Sequence, residues 1–242
     1  MTTLVLGASG ATGKQLVEQL LLKESNIKII VRSLDKIPNS WKSNDNIEII
    51  EASVLQLNNE EINKIVSGCN AVASCLGHNL SWKGVYGQPR KLVTDAVRLI
   101  CNAIKENAPN NSIKFVLMNT AGNCNRDLKE PLSFKHKLVV SLLRLLLPPH
   151  VDNEAAADYL RTEIGQNNSF IEWVAVRPDN LTNSDNVSKY EIYPSPIRDA
   201  IFDAGKTSRI NVAHFMANLI ADDKAWAKWK GQMPVIYNSL SE

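Results

Sequence analysis

Gly7, Gly10 and Gly13 punctuate the stretch Leu6-Gly7-Ala8-Ser9-Gly10-Ala11-Thr12-Gly13. An apolar run, Leu4 to Leu6, precedes them and reads as a buried strand. A helical pattern with Leu16, Val17, Leu20 and Leu21 on one face follows. In that setting each glycine has a physical task. Gly7 permits a tight turn, Gly10 lets the backbone approach a pyrophosphate, and Gly13 lets the helix lie close on the strand. The unpaired N–H groups and partial positive charge of the helix start favour phosphate, so the arrangement points to a dinucleotide.

The end of the next strand, Ile27–Val31, bears on which dinucleotide. An acidic side chain there accepts from a ribose 2′-hydroxyl, whereas an arginine pairs with a 2′-phosphate. This strand runs into Arg32 and Ser33, and the first carboxylate, Asp35, comes only beyond it, followed by Lys36. The planar donor fork of Arg32 suits phosphate, which makes NADP(H) the expected cofactor. A solvated surface arginine is the other reading.

Positioning such a site requires a sheet, and the rest of the chain supplies strand and helix in alternation. Further strands are expected at Ile47–Ile50, Ala71–Leu76, Ile113–Met118 and Ile171–Val176, the last stopped by Pro178. A helix over about Asn59–Val66 has capping-box spacing between Asn58 and Glu61. Pro89 is expected to open a long amphipathic helix with Leu92, Val93, Ala96, Val97, Ile100 and Ile104 inward. Asp152 or Asn153 is expected to cap a helix running through Arg161. This alternation predicts an α/β fold of Rossmann type, a doubly wound parallel sheet. Residues 1–242 read as a single domain with a small C-terminal substrate region, since no repeat or linker marks a boundary.

Two stretches break the rhythm. Residues 123–149 read as a lid or insert and contain Phe134–Leu147, a run of Leu and Val in which Lys137, Ser141 and Arg144 share one narrow stripe. Its 14 residues are too few to span a bilayer. A helix packed on the core or over the site, a homodimer surface and a membrane-surface helix are the open readings. Residues 180–206, with Pro194 and Pro196, are expected to form a loop at the carboxyl edge of the sheet and to border the substrate pocket.

Composition narrows the class. With 44% hydrophobic and 21% charged residues and a formal net charge of +2, the chain lacks the basic footprint of a nucleic-acid binder. The first residues read as strand, so no secretory leader is expected. Cys69, Cys75, Cys101 and Cys124 form no C-x-x-C pair and read as free thiols in a reducing cytoplasm. His78, His136, His150 and His214 lack metal-ligand spacing, so no metal is expected.

With these residues in hand, the chain resembles the atypical short-chain dehydrogenase/reductases of the NAD(P)-binding group, above all flavin reductase/biliverdin-IXβ reductase and its bacterial relatives. The matching pieces are the glycine loop, Val31-Arg32 with Lys36-Ile37-Pro38, Cys75-Leu76-Gly77, Asn119-Thr120-Ala121, Trp173 to Pro178, and Ser208 to Met216. Together they span about residues 2–122 and 150–238. The resemblance implies that Gly7, Ser9, Gly10, Ala11, Thr12 and Gly13 wrap the pyrophosphate and that Arg32 holds the 2′-phosphate. It implies that Ser53 and Val54 border the adenine, with Ser53 standing where the group usually has Asp. Leu76, Gly77 and His78 would line the nicotinamide-ribose side, and Asn119 and Thr120 would lie at the cofactor, Thr120 in the place of a catalytic or substrate-orienting Ser. Arg177 and Pro178 would flank the nicotinamide, with Asn180 just beyond.

One departure shapes the functional expectation. Most of the superfamily uses a Tyr-x-x-x-Lys pair as general acid/base, yet Tyr86, Tyr159, Tyr190, Tyr193 and Tyr237 are followed four residues on by Arg90, Glu163, Pro194, Ile197 and Ser241. Counting back from Asp158-Tyr159-Leu160-Arg161, the Tyr and Lys places fall on His150 and Glu154. Glu154 could accept from ribose hydroxyls or be a plain solvated carboxylate. A positioned general acid contributes ~10²–10⁴-fold, so an ordinary ketone would be reduced slowly here. A conjugated acceptor (flavin, quinone or linear tetrapyrrole) spreads the incoming charge, and holding it against the nicotinamide is most of the catalysis. The expectation is an NADPH-dependent oxidoreductase with a small-molecule acceptor, His150 first and His78 second as proton donor. A non-catalytic NADP(H) sensor is the alternative, and a nucleotide-sugar epimerase fits poorly without the Tyr–Lys pair.

Overall fold

The computed structural model describes residues 1–78, 81–128, 130 and 134–239. The chain runs β1 (Thr2–Leu6), α1 (Ala11–Leu21), β2 (Asn26–Val31), α2 (Asn39–Lys42), β3 (Ile47–Glu51), α3 (Asn59–Val66), β4 (Ala71–Ser74) and α4 (Trp82–Tyr86). It continues through α5 (Leu92–Asn107), β5 (Ile113–Met118), α6 (Phe134–Leu146), α7 (Pro148–Tyr159), β6 (Ile171–Pro178), β7 (Asn180–Thr182) and β8 (Tyr190–Tyr193). It ends with β9 (Lys206–Ser208), α8 (Arg209–Ala221), α9 (Asp223–Trp229) and β10 (Val235–Asn238).

Eight strands form one sheet in the order β3-β2-β1-β4-β5-β6-β10-β8, parallel throughout except for β8 against β10. Strand order reverses between β1 and β4, the place where a doubly wound sheet opens a crevice at its carboxyl edge. The strands alternate between two cores. Leu4, Leu6, Val72, Phe115, Leu117 and Trp173 face α3, α5 and α7. Val5, Ala73, Val116, Val174 and Val176 face α1, α8 and α9. Helices on both faces bury both sides of the sheet, which is why the strands read as apolar runs in sequence. The fold is the expected Rossmann-type single domain.

Several boundaries differ from expectation. Pro89 does not open α5; it follows a cis peptide from Gln88, and the helix begins at Leu92. The cap of α5 comes from elsewhere: Asp152 accepts hydrogen bonds from Val93 N (2.8 Å) and Thr94 N (2.9 Å). Asp152 therefore does not cap its own helix, which starts four residues earlier at Pro148 and Pro149, residues with no N–H to leave unsatisfied. Strand β6 runs through Pro178, whose carbonyl accepts from Ala121 N. The stretch 180–206 is not a plain loop. It contains β7, which pairs with β9, and β8, which extends the main sheet beyond β10. The capping box of α3 is present in both halves, Glu61 N to Asn58 Oδ1 and Asn58 N to Glu61 Oε2.

Candidate functional site

The glycine loop joins β1 to α1 at the reversal point. Gly7 has φ +73°, and a Cβ there would fall 2.7 Å from the Cys75 carbonyl, so both its conformation and its neighbour demand glycine. A Cβ on Gly13 would fall 2.1 Å from Gly7 O, which is how α1 comes to lie against the turn. Gly10 N donates to Gly7 O and closes the loop. The start of α1 has no side-chain cap and no acidic residue in its first turn. By contrast α3, α8 and α9 are capped by Asn58, Ser208 and Asp222. The N–H groups of α1 thus remain available to an anion.

A cavity of about 240 Å³ opens over this loop. Gly7, Ser9, Gly10, Arg32, Ser53, Val54, Leu76 and Gly77 all line it, and Lys36 joins them. Ala11, Thr12 and Gly13 form the first turn of α1 behind it. Arg32 and Lys36 are exposed, and no carboxylate engages either among the described residues. Asp35 turns away to exchange hydrogen bonds with Ser33. A glycine cradle at an uncapped helix start, with two free cations at its edge, fits the donor set a dinucleotide phosphate requires.

A second cavity, about 320 Å³, lies along the same sheet edge under α6. Thr120 and His150 line it with Val140, Leu143, Asp179 and Asn180. Thr120 Oγ1 and His150 Cε1 lie 3.6 Å and 3.9 Å from where a Cβ on Gly122 would be, so the missing side chain leaves space between them. His150 Nε2 is shielded, and its nearest polar neighbour among the described residues is the Glu154 carboxylate, 3.5 Å away. Glu154 is neither a solvated helix carboxylate nor free to reach a ribose. It is 5% exposed and held bidentately by Arg144 of α6, at 2.8 Å and 2.9 Å. Burial pushes its carboxyl up, but the polar contacts and charge of the nearby His150 and of Arg144 outweigh that and hold it at about 2. The same pairing raises Arg144. Of the stripe read from sequence, Arg144 reaches from the surface to Glu154, and the Lys137 side chain lies outside the described residues.

Asp179 is a pocket residue that sequence reading passed over. It is buried, accepts from Asn180 N and Gly205 N, and burial pushes its carboxyl up. Its signal was an acid placed directly after Pro178, at the carboxyl end of β6.

The profile of a family described as NAD(P)H-binding matches residues 7–223. The chain belongs to this family. Its fold recurs in a wide-type short-chain dehydrogenase/reductase from Veillonella parvula, solved in complex with NADP, at TM-score 0.71 and 17% identity over 98% of this chain and 94% of that one. ChuY, an anaerobilin reductase from Escherichia coli O157:H7, superposes at 0.69 and 15% identity over 100% and 99% of the two chains. The oxidoreductase YlbE from Lactococcus lactis superposes at 0.69 and 17% identity over 100% and 92%. Among curated sequences, an uncharacterized chloroplastic protein of Arabidopsis thaliana is 40% identical over 52 residues, 22% of this chain and 19% of that protein.

Within this NAD(P)H-binding chain, three expected site residues are occupied by internal bonds. His78 has Nδ1 on Gly84 O (3.1 Å) and Nε2 on Asp152 Oδ2 (2.8 Å), leaving no ring nitrogen to serve as a proton donor. Asn119 gives its amide to Asn153 O and accepts from Thr120 N and Asn123. Arg177, expected beside the nicotinamide, is fully buried on Glu130, Met233 O, Asn123 O and Pro194 O. Its guanidinium braces loops and offers nothing to a ligand; Pro178 beside it is buried too. The cysteines are free, and burial pushes Cys69 and Cys124 up to about 11 and Cys75 to about 12, so they stay as inert thiols.

Proposed function

We propose that the protein is an NADPH-dependent reductase that passes hydride to a conjugated acceptor, of flavin, quinone or tetrapyrrole type, without a Tyr–Lys pair. The observation that carries this is the placing of two cavities along one sheet edge, a phosphate cradle and an apolar-roofed pocket holding Thr120 and His150. The α1 N–H groups and Arg32 with Lys36 bind the phosphates, the 2′-phosphate included. When bound, the dinucleotide supplies the hydride, two electrons with one hydrogen. Thr120 orients the acceptor, and Val140 and Leu143 of α6 keep water from it. His150 gives one proton to the acceptor heteroatom that gains charge, and solvent restores it. The NADP-bound Veillonella structure and the reductase named for ChuY support this reading, and the free thiols suit action in the cytoplasm.

Calorimetry with NADPH and NADP⁺, followed by steady NADPH oxidation with FMN and quinones, tests it. Binding with turnover is expected. Binding without turnover across a broad acceptor panel would favour a cofactor-sensing regulator, and no heat with either nucleotide removes both readings.

A further inference from the structure

The roof of the acceptor pocket presents a second, outward face. Leu138, Leu142, Leu145 and Leu146 recur at helical spacing on α6 and are exposed, Leu145 by 78%. Trp82 on α4 is 82% exposed and stacks at 5.4 Å on Tyr86. Tyr86 Oη donates to Leu146 O at 3.1 Å, which joins α4 and α6 into one apolar surface.

Charge indicates what this surface meets. The two stretches that build it, 71–94 and 131–151, carry Lys83, Arg90, Lys91, Lys135 and Lys137, besides the Arg144 that Glu154 holds, and no Asp or Glu. Of the acids that follow, Asp152 and Glu154 are buried and already paired with His78 and Arg144, and Asp95 is half-buried on α5. A second copy docked about a twofold axis would bring two cationic faces together and be repelled. Exposed leucines and a tryptophan in the same stretches as the exposed Arg90, Lys91 and Lys135 instead suit a helix lying in the headgroup region of an anionic bilayer. Among the described residues no helix is long and apolar enough to cross one.

We propose that the α4–α6 face docks on an anionic lipid surface, with Trp82 and the α6 leucines in the acyl boundary. The inference stands apart from the reductase reading, because neither nucleotide binding nor turnover enters it.

Of the five tryptophans, Trp41, Trp173, Trp226 and Trp229 are buried, so quenching by lipids brominated on the acyl chain reports chiefly on Trp82. Vesicles of phosphatidylcholine with about 30% phosphatidylserine should quench the fluorescence at low salt, and phosphatidylcholine alone should do so far less. Added salt should release the protein. The double variant L142E/L145E alters exposed positions only; it should bind these vesicles about tenfold more weakly or worse while its far-UV circular dichroism stays that of the wild type. Trp82→Phe should lose the quenching yet still float with the vesicles. No uptake by anionic vesicles, or equal uptake by neutral ones, overturns the proposal. So does a concentration-dependent dimer that the double variant abolishes while vesicles are ignored.

Discussion

Arg32 illustrates how far a single residue can be read. Its place after β2 is visible in sequence, and in the fold it lines the crevice with no carboxylate engaging it among the described residues. A charged hydrogen bond contributes about 1.5–3 kcal/mol, so Arg32→Ala should weaken NADPH by about tenfold or more and leave NADH nearly untouched. Equal losses in a titration would reject the 2′-phosphate contact. Thr120→Ala should lower turnover at nearly unchanged NADPH affinity, and an unchanged rate would take Thr120 out of the pocket chemistry. The glycine loop was legible because steric demand is written in residue type. Arg177 and Asn119 were misleading for a matching reason. Sequence shows a donor at a strand end, but not that four distant segments have already claimed it.

Strands and helices were legible where burial is local and periodic, as in β5, whose Ile113–Met118 bounds match the expectation. They were not where one element finishes another. The cap of α5 lies in α7, 59 residues from Val93, and nothing near Pro89 announces it. Asp152→Ala removes that cap and the His78 partner together. It should cost roughly 3 kcal/mol in urea unfolding, against about 0.5–2 for an ordinary cap loss. The tie between α6 and α7 has a pH signature. Glu154 sits at about 2 in the fold against an ordinary 4.5, so its stabilisation is complete above 4.5 and fades as pH falls toward 2. Denaturation across that window should show the wild type losing stability more steeply than Glu154→Gln; parallel curves would refute the pairing.

The molecule is built on one eight-stranded sheet with a core on each face, and the cradle lies where the strand order turns. A nucleotide bound there touches loops after β1, β2, β3 and β4 and should stabilise all of them at once. NADPH at about 100 times its Kd adds about 2.7 kcal/mol. For 242 residues that should raise Tm by roughly 5–10 °C, and an unmoved melting curve would exclude the crevice as its seat. The Arg177 brace has a consequence for selectivity. One guanidinium bolts the loops at Asn123, Glu130 and Pro194 to Met233, just before β10, and Gly122, next to the braced Asn123, lines the cavity proposed for the acceptor, so that side of it should resist spreading for a bulkier guest. The ceiling, Val140 and Leu143 of α6, lies outside that brace, and grafting α6 from a relative should change which molecules are accepted without altering how the dinucleotide is gripped.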